Sequence, residues 1–498
     1  MKLKLRTVQW STGLPVAVLN EKTAEQIGVH SKDRVLIQTI SKNPIKISVI
    51  LDTVKDKIKK DLVKENEIVV SSELGEKLKI KNGRDVLVTL SSPPESLDFI
   101  KKKLNKKRLS EKEINEIIKD IVDNSLSEVE VALFVSAMYQ RGMTEKETIY
   151  LVKSILKTGN RLSLGEKLIV DKHCIGGIPG NRTTPIVVPI CAAKGLIFPK
   201  TSSRAITSAA GTADSVETIA RVDFSIKELK KIIRKTNACM VWGGSLGLVP
   251  ADDKIITIER MIKIDPEAQL LASIMAKKLS VGSRYILIDI PCGKNAKVSK
   301  KKAIRIKNKF EELGEYFKKE IKVVLTAGNQ PIGNGIGPAL EMKDVIAVLN
   351  PNQNGPKDLE EKSLFLAGKI FELSGKTKTG KGYNLAKQIL DSGEAFKKFK
   401  QIISAQEGNI NRIRPAKFKQ DFFMTRSAKI HAINNKTMNE LARVAGCPVD
   451  KFSGIYLYAH IGEKLKKGDK IITLYSDSIA RLKEAIKYYK KNHPIEFK

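Results

Sequence analysis

The sequence predicts a multidomain α/β protein, and three features carry that prediction. The chain has 498 residues, too many for one hydrophobic core, so three or four domains are expected. Its first ninety residues contain an internal repeat. From about residue 168 onward, β-branched runs end in Gly-rich turns and alternate with helical stretches, the pattern of a mainly parallel sheet.

In the repeat, VLNEKTAEQIGVHSKDRVLI (18–37) aligns with VVSSELGEKLKIKNGRDVLV (69–88) at a constant offset of 51. Ile27 matches Leu78, Val29 matches Ile80, and Val35-Leu36-Ile37 matches Val86-Leu87-Val88. Each copy reads as strand, short helix, polar turn and strand. A small pseudo-symmetric β-barrel-like domain over 1–90 follows, ended by Ser-Pro-Pro near residue 92. Three capping boxes come next, Ser110/Glu113, Ser127/Glu130 and Thr144/Glu147, each opening an apolar run at helical spacing. They predict a helical bundle domain over 95–160, joined by 252–283. The central mainly parallel α/β domain is placed at 165–250 plus 284–405. A C-terminal α+β domain is placed at 420–498, closing on an amphipathic helix over 478–491.

Composition narrows the function classes. Hydrophobic content of 42% is ordinary for a globular protein. No run approaches the roughly 18 apolar residues that cross a bilayer, and the start MKLKLRTVQW has no signal-peptide core. Five scattered cysteines with no CxxC pair predict reduced thiols and a cytoplasmic location, and the scattered histidines predict no metal site. The formal charge of +34 raises nucleic acid as a partner. The lysines, however, run along the whole chain and aromatics make up only 5%. This reads as the Lys/Glu-rich surface common in hyperthermophiles, with a positive field that attracts small anions. No nucleic-acid or membrane partner is expected.

Two donor-rich loops hold the chemistry. DKHCIGGIPGNRTT (171–184) follows the strand LIV, at the end where open α/β sheets bind ligands. Gly176, Gly177 and Gly180 permit an anion-binding nest of N–H groups, beside Lys172, His173 and Arg182. The same glycines also suit a plain tight turn, and the Walker pattern is absent. KTSSRAITSAAGTADSVE (200–217) is rich in hydroxyls and poor in bulk. Its hydroxyls can donate to phosphate oxygens and Arg204 offers a fork-shaped partner. The alternative is that several of them, with Asp214 and Ser215, only cap a helix. A third cluster is TIERMIKIDPEAQLLASIMAKKLS (257–280). Asp265 before Pro266 suits an N-cap, and Ser273 and Lys277, four apart, share a helix face.

In this order and spacing the three clusters, with FVSAMYQRGMTEKET upstream, resemble the thymidine/pyrimidine-nucleoside phosphorylase family. The repeat domain and the IPGNR form of the Gly loop are similar to its archaeal branch, the AMP phosphorylases. The likeness covers essentially the whole chain. It implies phosphorolysis of nucleoside 5′-monophosphates: AMP plus phosphate giving adenine and ribose 1,5-bisphosphate, with CMP and UMP as further candidates. It implies a helical and an α/β domain facing each other across a cleft. Inorganic phosphate enters as a co-substrate, with no cofactor, and a homodimer or larger homo-oligomer is expected.

Carried over residue by residue, the resemblance assigns AMP contacts to Gly177, Ser203, Arg204, Ala205, Ile206, Thr207, Ser208, Thr212, Ser273 and Lys297. Asp265 becomes the proton donor to the base, a role that requires partial burial. Phosphate falls to Lys172, Thr184 and Ser202, with Thr212 shared, and Arg260 and Lys277 lie near the base. Cys174 stands where the family commonly has Ser. The alternatives are a pyrimidine or thymidine nucleoside phosphorylase without a 5′-phosphate requirement, a phosphoribosyltransferase using Asp252-Asp253 for a metal, and a basic RNA-binding protein.

Overall fold

The repeat becomes a closed barrel. Strand β1 (Lys2–Val8) is followed by β2 (Val16–Asn20), a helix Glu21–Ile27, β3 (Arg34–Thr39) and β4 (Lys46–Val54). Then come β5 (Glu67–Ser71), a helix Ser72–Leu78 and β6 (Asp85–Leu90). The bounds of β2, its helix and β3 recur in β5, its helix and β6 at the same 51-residue offset. The strand order is β1-β5-β2-β4-β3-β6, closing back on β1. β2 lies parallel to β4 as β5 lies parallel to β1, so β1 completes the second copy. Alternate apolar side chains, among them Leu3, Leu5, Leu19, Ile37, Leu51 and Val88, fill the interior, as period-2 patterning requires.

This is a computed structural model that describes residues 1–9, 16–55, 62–165, 168–205 and 208–498. The chain forms two compact units. The first comprises 1–158 and 250–269, the second 159–249 and 270–498.

In the first unit the barrel is followed by helices Ser96–Leu104, Glu111–Asp123, Glu128–Arg141 and Glu145–Lys157, with Pro250–Ile262 packed among them. All three capping boxes form. Glu147 does more than cap. Its Oε2 accepts from Thr144 N, while its Oε1 accepts from Leu109 N at 2.9 Å and from Lys103 Nζ at 2.7 Å. Both members of that ion pair are buried.

The second unit is built on parallel strands. β7 (Val170–Cys174), β8 (Phe198–Ser202), β9 (Ala238–Trp242), β10 (Tyr285–Cys292) and β11 (Glu320–Ala327) alternate with helices. β11-β10-β7 form one ladder and β8-β9 another, joined through the parallel bridge Ile169–Ile197. A core of Val187, Ile190, Phe198, Leu287, Leu364, Phe371 and Phe399 packs helices against the strands. The carboxyl-terminal part adds strands Phe418–Phe423, Gly454–Leu457 and Lys470–Ser476 with helices Asn435–Ala445 and Ile479–Asn492. Its sheet takes in Gly335–Ile336 from the preceding α/β segment. Among the described residues no helix is long and apolar enough to cross a membrane.

Removing one partner of a buried ion pair leaves an uncompensated charge, typically at a cost of about 3–5 kcal/mol. Glu147→Ala is therefore expected to lower the stability of the helical bundle by that order, read from the midpoint of urea unfolding, with the barrel strands retained by circular dichroism.

Candidate active site

The carboxyl ends of β7 and β8 gather buried cations. Lys172 is 1% exposed and donates from Nζ to Thr183 Oγ1 at 2.5 Å and Thr184 Oγ1 at 3.5 Å. Lys200 and Lys278 are also buried, and Asp171 is the carboxylate that faces them. Its Oδ2 lies 2.8 Å from Lys278 Nζ, its Oδ1 3.5 Å from Lys200 Nζ, and Oδ1 also accepts from Lys172 N. Burial pushes the Lys172 and Lys278 amines below the ordinary lysine range, Asp171 opposing the shift at Lys278. Burial also drives the His173 imidazole well below its usual range, and Lys278, Lys200, Lys277 and Lys172 add to the effect.

The same two strands carry buried polar atoms with no hydrogen-bond partner among the described residues: His173 Nδ1, Thr201 Oγ1 and Ser202 Oγ. Buried polar groups are normally satisfied. Buried amines and unsatisfied hydroxyls are groups whose chemistry suits an oxyanion.

The Gly loop closes over this region. Gly176, Gly177 and Gly180 have φ of 85°, 93° and 69°. At Gly180 a Cβ would stand 2.3 Å from Ile332 O, so only glycine fits. At Gly177 a Cβ would meet the Lys297 Cβ at 2.7 Å, which places these two predicted residues side by side. Lys297 itself is exposed.

Arg182 ties the two loops together. Its Nη1 donates to Thr212 Oγ1 at 2.9 Å, its Nη2 to Ala210 O at 2.8 Å, and its Nε to the buried Glu341 Oε2 at 2.6 Å. Asp214 then folds the hydroxyl-rich loop on itself, accepting at Oδ2 from Ala205 N and Gly211 N at 2.7 and 2.9 Å. Gly211 sits so close that a Cβ would lie 2.6 Å from Ala205 N. Ser208 Oγ donates to Ala210 O, completing the turn. Ser203 is half-buried and Ala205 buried. Ile206 and Thr207 lie outside the described residues.

Two expectations need correction. The first concerns the partners of Arg204, whose guanidinium is engaged by carboxylates. It forms two bonds to Glu217 at 2.6 and 2.8 Å, approaches Asp214 at 3.4 Å, and stacks 4.9 Å from the Trp242 ring. The Arg204 hydrogen bonds hold the Glu217 carboxyl down at about 2 against the opposing effect of burial, with Lys451 assisting. The second correction concerns burial at Asp265. It lies in the turn before the helix Glu267–Ser280 and is exposed. Arg260, on Pro250–Ile262, is exposed as well. Ser273 and Lys277 do meet, Nζ donating to Oγ at 2.7 Å, and both are buried.

Residues that sequence reasoning passed over are Thr183, Lys200, Lys278 and Glu341. A signal existed for two of them: a lysine or glutamate inside a largely apolar helix is retained only when paired. Lys278 and Glu341 stand in such contexts.

Comparison with known proteins identifies the domains and the family. The helical bundle domain of a glycosyl transferase family matches residues 97–159, the a/b domain of that family 166–396, and the pyrimidine nucleoside phosphorylase C-terminal domain 429–496. AMP phosphorylase of Thermococcus kodakarensis is 42% identical over 99% of this chain and 97% of its own length. The chain belongs to the AMP phosphorylase family. Another member, from Methanococcus vannielii, is 39% identical over 99% of this chain and 97% of its own. A putative thymidine phosphorylase of Legionella pneumophila is 43% identical over 85% of this chain and 82% of its own. Among solved structures, anthranilate phosphoribosyltransferase from Thermus thermophilus shares the fold, with a TM-score of 0.53 at 18% identity, over 62% of this chain and 100% of that one.

Within the AMP phosphorylase family fold, Arg182 is the strut between the loops. Arg182→Met is expected to strand the buried Glu341 and release Thr212 and Ala210. Hydrogen exchange should then show faster exchange of the amides at 209–212, with the barrel amides unchanged.

Proposed function

We propose that this protein phosphorolyses AMP, yielding adenine and ribose 1,5-bisphosphate. Family membership over nearly the full chain favours this reaction, and the single structural observation that supports it is the buried Lys172 ammonium held by the Thr183 and Thr184 hydroxyls. Breaking the N-glycosidic bond builds positive charge on the ribose, and a phosphate dianion near the anomeric carbon stabilises it. Lys172, Thr184 and Ser202 would hold that dianion, with Thr183 and Thr201 as further hydroxyls. A bound dianion would restore the charged form that burial disfavours in Lys172.

The departing adenine gathers negative charge, which protonation at N7 neutralises. Asp265 is the proposed donor. Since the fold leaves it exposed, the desolvation that a neutral carboxylic acid requires would come from the base stacked beside it. Lys277 and Arg260 are assigned to the base, and Ser273 to the nucleotide. Gly177 and Lys297, Ser203 to Ser208 and Thr212 are assigned to the nucleotide. For Arg204 the carboxylate pairing favours a role in shaping the loop that receives the 5′-phosphate. The reaction as written needs no cofactor, and turnover is expected to survive EDTA.

The test is incubation of purified protein with AMP, with phosphate present or withheld. Ribose 1,5-bisphosphate should form only with phosphate, and ribose 5-phosphate released without it would overturn the assignment. The likeness to a putative thymidine phosphorylase makes thymidine, CMP and UMP the comparison substrates in the same assay. Asp265→Asn is expected to lower kcat by about 10²–10⁴-fold, the usual scale of general acid catalysis. A wild-type kcat in that variant would leave Asp265 as the residue that starts a helix.

A further inference from the structure

One helix of the carboxyl-terminal domain holds both substrate loops. Helix Asn435–Ala445 carries two buried amides four residues apart, Asn435 and Asn439, and so on one face. Asn439 Oδ1 accepts from Ala209 N at 3.0 Å, in the turn that Arg182 braces from the other side. Ala209 is itself buried, so without Asn439 its N–H would lose its acceptor. Asn435 Nδ2 donates to Gly328 O and to Asn295 O, both at 3.0 Å. Asn295 returns a bond from Nδ2 to Ile433 O, just before the helix. Lys297 lies two residues beyond Asn295, against Gly177. Lys451, from the same domain, lies 2.6 Å from Glu217, the carboxylate that holds Arg204.

We propose that Asn439 and Asn435 are positioning residues, through which the carboxyl-terminal domain sets the geometry of the nucleotide loop and of the loop bearing Lys297. This rests on the AMP reading above. The two amides work with opposite polarity. Asn439 acts through its oxygen and Asn435 through its nitrogen, so the same substitution must affect them differently. Aspartate keeps an acceptor at 439 but turns a carboxylate towards two carbonyl oxygens at 435. Of the residues assigned to phosphate, Lys172, Thr184 and Ser202 lie outside the turn that Asn439 holds, and Thr212 is shared with AMP, so the larger effect falls on the nucleotide.

The experiment is steady-state kinetics on the full-length protein, with hydrogen exchange at 208–212 measured in parallel. Loss of one hydrogen bond is read as about a threefold to tenfold change. Asn439→Ala is expected to raise KM for AMP by that factor while KM for phosphate stays within about twofold. Asn439→Asp should return KM for AMP towards wild type, and Asn435→Asp should raise it. A wild-type KM for AMP in Asn439→Ala overturns the proposal. So does a parallel rise in both KM values, or an Asn439→Asp variant as impaired as Asn439→Ala. If the unmodified protein does not turn over AMP, the reaction assignment fails separately. Hydrogen exchange then decides the positioning role: faster exchange at 208–212 in Asn439→Ala supports it, and unchanged protection overturns it.

Discussion

Buried lysines set the terms for the second unit. Lys200 and Lys278 face Asp171, while Lys172, the next residue along the strand, turns its ammonium to Thr183 and Thr184. Moving ammonium groups out of water is unfavourable unless they are paired and hydrogen-bonded. Asp171 offsets part of that penalty at Lys278 and Lys200, Thr183 and Thr184 part of it at Lys172, and burial still depresses the Lys172 and Lys278 amines. A site organised in this way has most to gain from a multiply charged oxyanion. The strands, the Gly loop and the helix Glu267–Ser280 serve to keep these groups together and away from bulk water.

The loops around that centre are held by polar contacts. Arg182 joins the Gly loop to the hydroxyl-rich loop, and Asp214 and Gly211 fold the latter onto itself. Small residues matter here for two reasons. They let backbone segments approach within contact distance, and they leave hydroxyls and amides as the groups presented to a ligand. The Arg204–Glu217 pair, with Lys451 behind it, gives the loop a charged backing that remains ionised across ordinary pH because Glu217 titrates near 2. The carboxyl-terminal domain thereby enters the site's architecture without supplying a residue of the pocket itself.

Much of the fold was legible in the sequence, for local reasons. The 51-residue repeat fixes strand, helix and strand twice, because apolar alternation and turn chemistry are written into consecutive residues. The three capping boxes mark helix starts because Ser or Thr and Glu must stand three apart to satisfy each other's N–H groups. The Gly loop and the hydroxyl loop were visible as unusual composition next to strands. Ser273 and Lys277 were legible as a pair because helical periodicity alone brings them to one face.

What the sequence could not decide is which partners each charged residue finds. Arg204 reads from the sequence as a partner for phosphate, and its bonds to Glu217, thirteen residues on, appear only in the fold. Lys278 and Asp171 are 107 positions apart, and Asn439 reaches Ala209 across 230. Exposure of Asp265 is likewise a property of the folded surface. The sequence by itself determined the domain types and the two donor-rich loops, since these follow from patterns among near neighbours. The tertiary structure alone decided which cations are buried, which are neutralised and which hydroxyls remain unsatisfied, since those depend on distant segments meeting out of water.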